Sequence, residues 1–110
     1  MPSKRFIYRG RQGTSRHNVN WDAISVESAV EITAAQWQFN GGVFGASGRP
    51  VLGDPGHEPN VYVTNVGPHG VTGGEAGGVE FLIHAESAAP IDVVVNISVL
   101  GTVESAQIVA

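Results

Sequence analysis

Four histidines, His17, His57, His69 and His84, carry the most obvious chemical potential in this 110-residue sequence, because a neutral imidazole ligates metals and moves protons near neutral pH. Asp54 and Glu58 flank His57 and add two carboxylates to one short stretch. Metal ligands must converge at about 2 Å, and close repeats such as His-x-His favour that. The chain has no such repeat and no cysteine. Neither a metal nor another cofactor is therefore expected.

Nucleophilic catalysis finds no better footing. Gly45-Ala46-Ser47-Gly48-Arg49 lacks the last glycine of a G-x-S-x-G elbow, and no glycine cluster is followed by the Gly-Lys-Ser/Thr of a phosphate-binding loop. Asn96-Ile97-Ser98 satisfies a glycosylation sequon but falls inside an alternating run that reads as a strand. Pro55-Gly56-His57 followed by Asn60 resembles the second motif of cupins, which are metal-binding jelly rolls. Its spacing departs from that motif, and nothing upstream supplies the paired histidines and glutamate of the first motif. No cupin ligand carries over, and the chain reads as non-catalytic.

The elements that would position these residues are strands. Val79, Phe81, Ile83 and Ala85 alternate with Glu80, Leu82, His84 and Glu86, and Ile91, Val93, Val95, Ile97 and Val99 alternate with Asp92, Val94, Asn96, Ser98 and Leu100. A period of two over both runs predicts two strands, each with one apolar face. The short Glu86–Pro90 connection predicts that they pair as an antiparallel hairpin at the centre of the domain. Leu82, Val94 and Leu100 leave the hairpin's second face half apolar, so that face is expected to be covered. A strand is expected over 60–66 and a last one over 103–109, after a reversal at Gly101. Residues 27–38 fit either strands with a bulge or a helix, with β-branched content favouring strands. The Gly-rich connections 40–59 and 67–78 read as loops, the second of them mobile. Six to eight short strands of this kind predict a single all-β domain, an antiparallel β-sandwich or jelly roll.

Charge divides the chain. Lys4, Arg5, Arg9, Arg11 and Arg16 are five of the six basic residues, and no acidic residue precedes Asp22, whereas all ten acidic residues follow. The division predicts an extended basic arm over 1–20 attached to an acidic β-sandwich domain over 21–110. Lys4, Arg5, Phe6, Tyr8, Arg9, Arg11 and Arg16, with Leu82, Val94 and Leu100, are the expected interface. The arm's cations and aromatic rings suit nucleic acid as well, but the acidic body would repel it, so a protein partner is favoured. A homo-oligomer or a larger assembly follows, such as a structural protein decorating a virion capsid. The rival is a lectin-like module that binds carbohydrate or another small ligand through the two Gly-rich connections, using Phe44, Asp54, His57, Asn60 and His69. No run approaches a membrane span, and no secretion signal opens the sequence, so synthesis in the cytoplasm is expected.

Overall fold

The computed structural model describes residues 1–40 and 48–110. The described residues form seven strands, β1 (Ser3–Arg11), β2 (Gly13–Asn20), β3 (Ser28–Phe39), β4 (Gly48–Val51), β5 (Asn60–His69), β6 (Gly78–Glu86) and β7 (Ile91–Thr102), and one 3-10 turn at Thr72–Gly74. Every pairing is antiparallel. One sheet runs in the order β1-β7-β3-β4 and the other in the order β2-β6-β5. The all-β expectation holds, and residues 28–39 are strand, as their β-branched side chains favour.

The alternating pattern assigns the inward faces of β6 and β7 correctly. Val79, Phe81, Ile83 and Ala85 join Val93, Val95, Ile97 and Val99 in one buried cluster, completed by Val19 and Ile24 and rimmed by Phe6, Tyr8, Val30, Ile32 and Val63. Their pairing differs from expectation. β6 and β7 are not a hairpin: β6 pairs with β2 and β5, while β7 pairs with β1 and β3. Residues 87–90 turn a corner from one sheet into the other. A period of two tells which side chains face inward but not which strand lies alongside.

The first twenty residues decide the corner, and they are not a separate arm. β1 pairs with β7 from Ser3↔Ser98 to Arg11↔Ile91, and β2 pairs with β6 from Gly13↔Ala85 to Asn20↔Gly78. The N-terminal segment thus follows the β6–β7 segment through both sheets and bends where it bends. A bulge between Tyr8 and Arg11 places an extra residue on β1, and Gly10 and Gly13 take positive φ of 64° and 76° on either side of the bend. Two side chains tie the bend down: Gly10 N–H donates to Asp92 Oδ1 at 3.1 Å, and Gln12 Nε2 donates to the Ser87 carbonyl at 3.2 Å.

Two further expectations are corrected. Gly101 does not reverse the chain but lies within β7, and residues 103–110 are exposed and outside any strand. The second Gly-rich connection shortens, because Gly67–His69 belong to β5, and the two ends of what remains are hydrogen-bonded to the 21–27 turn. Gly70 O accepts from Val26 N at 2.7 Å and Gly77 O from Trp21 N at 2.8 Å, and Gly70 and Gly77 are buried against the 21–27 turn.

The corner is open to test. No atom lies within 4 Å of a Cβ built on Gly13, so a substitution there meets only the backbone cost of its φ. Gly13→Val is expected to lower the unfolding free energy by about 1–2 kcal/mol in urea titrations, and Gly13→Asn by less. Equal stability of Gly13→Val and the parent would show that the bend does not need that conformation.

Candidate functional site

The face of the four-stranded sheet that points away from the core is unusually apolar. On β7 the outward residues are Asp92, Val94 and Asn96; beside them stand Arg5, Ile7 and Arg9 of β1, and Ala35, Trp37 and Phe39 of β3. Val94 is completely buried, and Trp37 is only 5% exposed, although both face away from the main cluster. This is the register conflict legible in β3, whose Ile32 and Ala34 pack inward while Trp37 and Phe39 have the opposite parity. The strand meets it without a bulge near Ala34 and Ala35; its only register shift lies at Ala29/Val30. Trp37 instead builds a second apolar layer outside the sheet. Gly48 permits the packing, since a Cβ there would stand 2.8 Å from Cε2 and Cζ2 of the indole.

Arginines roof this layer. The Arg5 guanidinium carbon lies 5.4 Å from the Trp37 ring centre and that of Arg9 4.8 Å from the Phe39 ring, distances at which a cation is held by an aromatic face. Arg5 Nε donates to Asn96 Oδ1 at 2.7 Å, Asn96 Nδ2 donates to Thr33 Oγ1 at 3.3 Å, and Arg9 lies 3.8 Å from Asp92. The two arginines are therefore oriented by the sheet while staying exposed. Trp37 Nε1 is buried and has no hydrogen-bond partner among the described residues. A cavity of about 730 Å³ opens beside it, lined by Gln36, Gln38, Phe39, Arg49, Asp54 and Asp92 among others.

The outward face of the other sheet is polar. His84 stacks on Tyr62 at 4.5 Å, and its ring nitrogens meet Thr14 Oγ1 at 2.9 Å and Thr64 Oγ1 at 2.6 Å. A hydrogen bond to Glu86, with a smaller effect of burial, holds the Tyr62 phenol above its ordinary range. Arg16 is tied to Glu80 at 3.1 Å. His69 spans from Asn18 Oδ1 at 2.6 Å to the Ala76 carbonyl and Glu75 Oε1, both at 2.9 Å, so it works as a strut between β2 and the Gly-rich loop. Among the described residues no group of three or more His, Asp or Glu side chains could hold a metal, and no helix is long and apolar enough to cross a membrane.

The expected interface residues thus separate. Lys4, Arg5, Arg9 and Arg11 lie along β1, with Lys4 4.9 Å from the Trp21 ring, but Phe6 and Tyr8 pack on the main cluster and cannot stack on a base. Leu82 is on the outer face of one sheet and Val94 on that of the other, with Leu100 exposed toward the end of β7, so the three do not form one patch. The ligand residues separate too. Asp54, His57 and Asn60 lie toward one end of β5 and His69 at the other, about 30 Å away over ten extended residues. Among the described residues Asp54, His57 and Asn60 therefore stand apart from His69, and Phe44 lies outside the described residues. The outer aromatic layer escaped the sequence reading, although the parity of Trp37 and Phe39 was its signal.

No known protein family matches this sequence, and neither a curated protein nor a solved structure is similar to it.

His17 gives this region a pH dependence. Its ring lies between Tyr8, at 4.5 Å, and Phe81, at 5.8 Å, with Nε2 2.6 Å from Ser15 Oγ. Burial, helped by the nearby Arg11 charge, holds its pKa below the ordinary histidine value of 6.5. Below that value the unfolded chain binds a proton that the folded chain still refuses, so acidification favours unfolding. The unfolding free energy is expected to fall as the pH drops through and below the ordinary histidine value of 6.5, and more steeply in the parent than in His17→Gln. Parallel pH profiles for the two proteins in urea titrations would remove His17 as the cause.

Proposed function

We propose that this chain is a non-catalytic structural protein of sandwich or jelly-roll type that associates with copies of itself or decorates a larger particle, of which a capsid is one example. One observation carries the reading: four cations, Lys4, Arg5, Arg9 and Arg11, line a strand that among the described residues has a hydrogen-bonded neighbour on one side only. An edge strand offers unpaired backbone groups to a partner, and its charge selects an acidic one. The rest of the chain is acidic, with Arg49 as its only Lys or Arg beyond Arg16 against ten carboxylates, so another copy has the complementary charge. The apolar layer under Arg5 and Arg9 gives such a contact a rigid base.

The cavity beside Trp37 supports a second reading, a site for a carbohydrate or similar small ligand, with Gln36, Gln38 and Asp54 as polar contacts. It is the weaker of the two. Arg5 already lies over the Trp37 ring and Phe39 stands edge-on to it at 6.1 Å, so a sugar would have to displace them to stack.

Solution mass decides between them. The assembly reading expects a mass above the 11.5 kDa of one chain at low salt, falling at about 1 M salt as screening shortens the reach of charge to about 3 Å. Arg5→Glu with Arg9→Glu is expected to weaken association about tenfold or more, which corresponds to about 1.4 kcal/mol. A monomer under all these conditions would remove self-association, and tryptophan fluorescence quenched by a sugar would then favour the ligand reading.

A further inference from the structure

Residues 103–110 and the free edge of β1 are each incomplete, and each has what the other lacks. Beyond Thr102 the chain carries Ile108 and Val109 at 95% and 87% exposure, with Val103 also exposed at 49%. Val103, Ile108 and Val109 are strand-forming types, and the segment contains neither Gly nor Pro. Its one charged side chain is Glu104, against four cations on β1.

Own-chain pairing is closed off by topology. β7 lies between β1 and β3, and Val103 N–H donates to the Glu27 carbonyl at 2.7 Å, so the segment leaves on the β3 side, away from β1.

We propose that residues 103–110 of one copy add as an extra strand to the free edge of β1 in a second copy. The inference rests on the assembly reading and names its partner. Main-chain hydrogen bonds supply the attachment, Ile108 and Val109 gain cover, and Glu104 enters the field of the β1 cations. Because donor segment and acceptor edge are different parts of the chain, each copy can donate to one neighbour and accept from another.

The test compares the intact chain with a 1–102 truncation and with the full-length Ile108→Asp/Val109→Asp variant, by solution mass and by amide hydrogen exchange of β1. The intact chain is expected to associate, and the outward amides of β1 to exchange about tenfold or more slowly at high than at low protein concentration. Both effects should vanish in the truncation and in the double variant. If these two associate as well as the parent, the strand-addition proposal is overturned while assembly stands. Loss of association with unchanged β1 exchange also overturns it, since the segment then docks elsewhere, and a monomeric intact chain overturns it together with self-association. Segment-dependent association that ignores Arg5→Glu/Arg9→Glu would uphold strand addition and remove the arginines from the contact.

Discussion

The fold depends on two chain segments changing sheets at the same place. β6 and β7 form one segment that turns through residues 87–90, and β1 and β2 form its partner, bending around Gln12. Each half of one is hydrogen-bonded to a half of the other. If either segment ran straight, its side chains beyond the bend would leave the shared core, so the two bends must coincide. The clamps from Asp92 and Gln12 contribute about 0.5–1.5 kcal/mol each, whereas burying a side chain such as Phe81 or Ile97 stabilises by about 1.5–3 kcal/mol. Burial holds the sheets together, and the clamps and glycines fix where the turn occurs.

That division of labour explains what could be read in the sequence. The inward residues of β6 and β7 were legible because burial acts on side chains and leaves a period of two. The partners of those strands were not, since a five-residue connection serves a hairpin or a corner equally well. The evidence for a corner was in Gly10 and Gly13, far away in sequence and resembling the punctuation of a flexible arm. Charge misled in the same direction: Arg5 and Arg9 suggested an arm set apart from the body, but each guanidinium lies over an aromatic ring of the sheet. Among the described residues, His69 stands apart from Asn60 because it ends the ten-residue strand that Asn60 begins.

Trp37 and Val94 show that the four-stranded sheet is covered on both faces. One cover is the other sheet, and the second is local, made from Phe39, Pro50 and the stems of Arg5 and Arg9 against a gap that Gly48 leaves open. The Arg5 and Arg9 guanidinium groups keep water contact while lying over the Trp37 and Phe39 rings. The β1 strand gains rigidity from the same contacts. A rigid edge loses less entropy when another strand is added to it than a flexible one does.

The charge on that edge also limits the symmetry of any assembly built through it. Two β1 edges meeting directly would bring eight cations together, four from each copy, and like charges opposed across a strand pair repel. A two-fold contact of β1 on β1 is therefore disfavoured, and this is the ordinary protection that lysines and arginines give an edge strand. The protection does not extend to a neutral or acidic strand. An edge that rejects its own kind but accepts a different segment imposes a head-to-tail contact, and such contacts propagate until the rotation between copies closes a ring or runs on as a filament.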